Sequence, residues 1–175
     1  MKSIKTLVIE DDPNFFKFVK ELLKKSEYTK YILSRSKSLR EGSVTLKKHK
    51  YDVILLDLTL PNGQGLDVFK KIQKVSNYTP IVILSAYEQL SLESVREGAQ
   101  DYIVKNNVTT DALDRSIRYS IERKTIQDRR FKLIRKQEQF QQEVGKILED
   151  KISVWKVERI AKQNKINDMI DNIVI

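Results

Sequence analysis

VILLDLTLPNGQG, residues 53–65, runs through four apolar residues into a single carboxylate, Asp57, and then turns at Pro61-Asn62-Gly63. A short run that is apolar at every position is the pattern of a strand covered on both faces. Such strands belong to parallel sheets flanked by helices, so the neighbouring segments should alternate between strand and helix. Upstream, KTLVIE reads as a strand. PNFFKFVKELLKK reads as a helix with Pro13 in its first turn and apolar Phe15, Phe18, Val19, Leu22 and Leu23 at helical spacing. YILSR is a weaker strand, and SLREGSVTLKKHK a helix with Leu39, Val44 and Leu46 partly in phase. Downstream, GLDVFKKIQKV is a helix packed through Leu66, Phe69, Ile72 and Val75, and TPIVILSA is a second buried strand. QLSLESVREG is a helix that stops at Gly98, DYIVK is a last short strand, and Thr109 or Thr110 caps a helix beginning near Asp111.

Five strand–helix units in succession predict an α/β fold with a doubly wound, five-stranded parallel sheet. Right-handed crossovers place the carboxyl ends of all five strands on one edge, where ligands bind in such sheets. The first strand brings Glu10, Asp11 and Asp12 to that edge, the third Asp57, the fourth Ser85 followed by the small Ala86, and the fifth Lys105. Asp12 is expected to cap the first helix. Adjacent carboxylates repel one another unless a cation neutralises them. A donor set made only of oxygens, with room for water, suits Mg²⁺. A divalent ion would keep Asp57 ionised and bridge it to an incoming phosphoryl group, with Lys105 and the Ser85 hydroxyl meeting phosphoryl oxygens. A carboxylate that attacks a phosphoryl donor becomes an aspartyl phosphate.

VIEDDP, VILLDLTLPNGQGLDVF, IVILSA and GAQDYIVK, in that order, resemble the receiver domain of two-component response regulators over roughly residues 1–125. The resemblance implies the flavodoxin-like receiver fold and a phosphorylation-dependent signalling switch, not a turnover enzyme. By resemblance Asp57 is the phospho-acceptor. Asp11 and Asp57 are the direct Mg²⁺ ligands, the Thr59 backbone carbonyl completes the set, and Glu10 acts through water. Ser85 and Lys105 match the switch hydroxyl and the phosphate-pairing lysine, and Tyr102 matches the aromatic that changes rotamer when Ser85 moves. The implied partner is a sensor histidine kinase. Proline usually follows the lysine in this family, often after a cis bond. Here Asn106-Asn107 follows, and a cis bond without proline costs about 2.5–4 kcal/mol. Thr59 and Tyr87 flank the phosphoryl site in this scheme, and the bulk of Tyr87 predicts slow autodephosphorylation.

The remaining composition excludes several classes. The 175 residues suffice for one domain and an extension, and 40% hydrophobic residues suffice for a core. There is no cysteine, so disulfides and thiolate metal sites are ruled out. No run of about 18 apolar residues is present, so no transmembrane helix is expected. MKSIKTLVIEDD turns acidic too soon for a signal peptide. A cytoplasmic location is expected. The single histidine, His49, lies among lysines in KKHKY and reads as surface.

All three prolines and four of the five glycines precede Ala99, whereas Asp111 to Ile175 holds no proline and only Gly145. The tail, residues 126–175, is therefore expected to be a helical extension. Phe140, Val144, Ile147, Leu148, Ile152, Trp155, Ile166, Met169, Ile170 and Ile173 share one stripe at helical spacing, with Val157 and Ile160 off it. A helix of some 60 residues, about 90 Å long, cannot cover such a stripe by itself. Either it pairs with a second chain as a coiled coil, which is preferred and makes the protein a homodimer, or it folds back near Gly145 into a helical hairpin. The net charge is +9, and Arg115 to Lys136 carries nine basic and two acidic residues. A solvated helix face is preferred there over a nucleic acid or membrane contact, since the basic residues do not alternate with aromatics and no helix-turn-helix follows. Two further readings are an N-terminal piece of a longer signalling protein, with the output domain beyond the tail, and a receiver-like structural dimer with idle chemistry. A haloacid-dehalogenase-type phosphatase fits poorly, because its second acid would fall on Thr59.

Overall fold

The computed structural model describes residues 3–171, with side chains to Asn167. In chain order the elements are β1 (Ser3–Ile9), α1 (Pro13–Lys24), β2 (Lys30–Ser36), α2 (Leu39–Lys48), β3 (Val53–Asp57), β4 (Thr59–Leu60), β5 (Gly63–Gln64), α3 (Leu66–Val75), β6 (Ile81–Ser85), α4 (Ser91–Arg96), β7 (Asp101–Val104) and α5 (Thr110–Asp171). Five strands form one parallel sheet in the order β2-β1-β3-β6-β7, and β4 and β5 pair as a small antiparallel hairpin just after Asp57. This is the doubly wound flavodoxin-like architecture expected from the alternation of segments. β1, β3 and β6 are central, and their side chains alternate between two cores. Leu7, Ile9, Ile54, Leu56, Ile81 and Ile83 face Val68, Phe69 and Ile72 of α3. Val8, Val53, Leu55, Val82 and Leu84 face Val19 and Leu23 of α1 and Leu113 and Ile117 of α5. Both faces being covered, no position of β3 is polar before Asp57.

Several local expectations need correction. Phe18 and Val44 are each 44% exposed, so neither belongs to the buried face of its helix. α1 buries only the stripe Val19–Leu23, and Phe18 lies at its rim against Phe15, ring centroids 5.9 Å apart. Val68, absent from the expected inward set, is fully buried. The segment read as one helix from Gln89 opens instead as a 3₁₀ turn over Glu88–Leu90 before the six-residue α4. Asp12 caps α1, its carboxylate accepting from the Asn14 N–H at 2.8 Å, and Thr109 accepts from the Ala112 N–H at 3.2 Å at the start of α5. The Lys105–Asn106 peptide is trans.

The chain divides into two units at Ile126/Gln127. In the second unit every side chain from Gln127 to Asn167 is exposed except at Gly145, which is half-buried. The hairpin near Gly145 is not formed: α5 runs through that residue unbroken, because a lone glycine costs a helix only about 1 kcal/mol and nothing packs on it to favour a turn. Phe140, Val144, Ile147, Leu148, Ile152, Trp155 and Ile166 of the apolar stripe are exposed. Met169, Ile170 and Ile173 lie outside the described side chains. Among the described residues no helix is long and apolar enough to cross a membrane.

Candidate functional site

The carboxyl ends of β1, β3 and β6 deliver their polar residues to one edge because the strands are parallel and in register. Ile9 pairs with Leu56, and Asp57 pairs with Leu84, so Glu10, Asp57 and Ser85 follow one another across three neighbouring strands. Asp57 is only 4% exposed. One of its oxygens accepts the Thr59 N–H at 3.0 Å, and the other meets the Lys105 Nζ at 2.8 Å. The same ammonium lies 2.8 Å from Glu10 Oε2, so one lysine bridges two buried carboxylates. The Phe15 ring lies 4.3 Å below it and forms an apolar floor that favours the cation.

The electrostatics follow from burial. Desolvation pushes the Glu10 carboxyl up to about 7, with the Asp57 charge adding to the rise and the Lys105 hydrogen bond opposing it. Burial lowers the Lys105 value, but its bonds to Asp57 and Glu10 outweigh that and hold the ammonium above its ordinary range. Asp11 is exposed, and its carboxylate converges with those of Glu10 and Asp57, the three ligand oxygens lying within 4.8 Å of one another. Three carboxylates facing one ammonium leave an excess of negative charge in a donor set made only of oxygen. That excess is what a hard divalent cation balances, so these residues fit Mg²⁺.

Thr59 opens the β4–β5 hairpin, tied to Asp57 through its N–H. The Ser85 hydroxyl, fully buried, accepts the Tyr87 N–H at 3.3 Å. Tyr102 is half-buried on β7, and its hydroxyl donates to the Tyr87 carbonyl. Ser85 and Tyr102 thus meet through one residue's backbone and not directly. The Tyr87 ring itself is 54% exposed.

Two arrangements lay outside the sequence reading. Arg35, last but one in β2, donates to the Glu10 carbonyl at 3.0 Å and to the Asp11 carbonyl at 2.5 Å. Its guanidinium lies 5.5 Å from the Phe16 ring centroid. Away from the edge, buried Asp114 on α5 accepts from Ser26 Oγ at 2.6 Å, Tyr31 Oη at 2.8 Å and Arg118 Nε at 2.7 Å. An arginine in a strand otherwise read as weak is the only mark of the first, and nothing in the order of residues marks the second.

The family model for the response regulator receiver domain matches residues 6–118. Chemotaxis protein CheY of Thermotoga maritima is 31% identical over 104 residues, covering 58% of this chain and 85% of CheY. Response regulator protein PilR of Pseudomonas aeruginosa is 30% identical over 108 residues, covering 60% of this chain. The chain spans only 23% of the length of PilR. The crystal structure of a response regulator receiver domain protein from Clostridium thermocellum superposes with a TM-score of 0.60 at 27% identity, covering 70% of this chain and 98% of that one.

Proposed function

The chain belongs to the response regulator receiver domain family, and from that premise we propose that it is a phosphorylation-dependent switch in which Asp57 takes a phosphoryl group from the phosphohistidine of a sensor histidine kinase. The observation that carries this reading is the single Lys105 ammonium, 2.8 Å from both Asp57 and Glu10 at the carboxyl edge of the sheet. In the transfer an Asp57 carboxylate oxygen forms the new O–P bond while the N–P bond to the donor histidine breaks, leaving an acyl phosphate. Lys105 remains beside Asp57 and offsets the charge on the phosphoryl oxygens. Asp11, Asp57, the Thr59 carbonyl and, through water, Glu10 would hold Mg²⁺, which would supply further charge neutralisation at the same oxygens.

In this switch the backbone of Tyr87 couples Ser85 to Tyr102. When the Ser85 hydroxyl turns to a phosphoryl oxygen it gives up the Tyr87 N–H, and the Tyr87 carbonyl that holds the Tyr102 hydroxyl moves with it. Residues 1–125 form the receiver in this reading and residues 126–175 the extension, with the exposed apolar stripe of α5 pairing with that of a second copy. A receiver and linker helix from a longer signalling protein is the alternative, and the short span of PilR that the chain covers favours keeping it.

Incubation with Mg²⁺ and acetyl phosphate, followed by mass spectrometry, tests the central claim. Wild type gains one phosphoryl mass increment that decays slowly, and Asp57→Asn gains none. An unmodified wild-type protein would overturn the proposal.

A further inference from the structure

We propose that Arg35 is a positioning residue for the acidic pair: its guanidinium holds the Glu10 and Asp11 carbonyls in the turned conformation that lets both carboxylates converge with Asp57. Successive side chains on an extended strand point to opposite faces. Two consecutive acids can therefore serve one site only if the strand ends and the backbone turns between them. β1 does end there. The Glu10 N–H still bonds to the Ser36 carbonyl at 2.9 Å, and β1 stops one residue earlier at Ile9.

Arg35 binds both carbonyls beyond that point, Nε to Glu10 and a terminal nitrogen to Asp11. The fork geometry matters, because two donors fixed in one plane grip two consecutive carbonyls where a lysine offers a single point. The Phe16 ring lies 5.5 Å from the guanidinium, a cation–π distance. The loop is held from its other side as well, since the Asp12 N–H donates to Glu10 Oε1 at 3.2 Å. Arg35 touches no carboxylate of the cluster, so it acts on the acids through their backbone.

A second role for Arg35 would give the opposite result. If it served only as a nearby positive charge, it would repel a divalent cation, and removing it would tighten metal binding. If it positions the pair, removing it weakens binding despite the lost repulsion. Outer-shell residues of this kind typically matter about 10–100-fold in metal affinity.

The inference rests on the metal-site reading given above, and the experiment separates the two. Mg²⁺ alone is titrated into the full chain by calorimetry, with no phosphoryl donor, for wild type, Arg35→Ala and Arg35→Lys. Amide hydrogen exchange at Asp11, Asp12 and Asn14 is measured on the same metal-free proteins. Exchange across β1 and β3 reports whether the fold is intact. Positioning predicts roughly tenfold or greater loss of Mg²⁺ affinity in both variants, with faster exchange confined to the loop. Unchanged loop exchange, tighter binding in Arg35→Ala, or full recovery by Arg35→Lys would each overturn it. A wild-type chain that binds no Mg²⁺ would sink the metal-site reading, and loop exchange would still decide the role of Arg35.

Discussion

At the scale of the residue, what distinguishes Asp57 is the company it is made to keep. A buried carboxylate at a strand end is an ordinary strand end until an ammonium and two further acids share its space. The same logic applies in reverse to Asp114, whose partners are structural. Burial raises its carboxyl, but the hydrogen bonds from Ser26, Tyr31 and Arg118 outweigh burial and hold it below its ordinary value. A carboxyl depressed on folding adds stability that is fully present above its unfolded pKa, about 3.9, and is lost as the pH falls through the lower folded value. Asp114→Asn is therefore expected to cost about 2 kcal/mol at neutral pH. Urea denaturation at pH 7, 4 and 3 should show the gap between wild type and variant narrowing toward the acid end. A gap that stays constant would mean that the carboxylate charge contributes nothing. Asp57, Ser85 and Lys105 were legible in the sequence because each ends a recognisable strand. Arg35 and Asp114 were not, because their importance lies in what they touch 24 to 88 residues away.

At the scale of the element, β3 and β6 stood out because strands covered on both faces are apolar up to a polar end, and the alternation of segments located the other three strands of the parallel sheet. Where packing is local and shallow the pattern misled. α4 is six residues long and preceded by a 3₁₀ turn, although its sequence reads as a longer helix. The turn after Asp57 is more demanding than its Pro-Asn-Gly suggests. Gly65, the N-cap just before α3, sits at φ 64° and ψ −148°, a region that side chains with a Cβ rarely enter. A Cβ there would meet only Leu90 Cδ1, at 3.9 Å, so the obstacle is the backbone and not space. Gly65→Ala is expected to destabilise the protein by about 1–3 kcal/mol. Thermal melting would check this, and an unchanged midpoint would show that the turn relaxes without strain.

At the scale of the whole molecule, the two units pose different physical problems. The receiver unit buries its apolar residues against itself on both faces of one sheet. The tail presents Phe140, Ile147 and Trp155 to solvent, each more than half exposed. Large apolar side chains left open along one helix are the basis for the proposed pairing. With a second copy as the proposed partner, sedimentation velocity should show a dimer. The double variant Phe140→Glu/Ile147→Glu should sediment as a monomer with its receiver melting transition unchanged. A wild-type monomer at tens of micromolar would overturn the pairing. The sequence by itself determined the order and kind of the five main strand–helix units and the residues at each strand end, because strand and helix periods and turn residues are local properties of the chain. Only the tertiary structure decided that one ammonium bridges Glu10 and Asp57, that Tyr87 links Ser85 to Tyr102, and that Arg35 grips the acidic turn. Those contacts depend on strand order and side-chain direction across neighbouring strands, which no local spacing encodes.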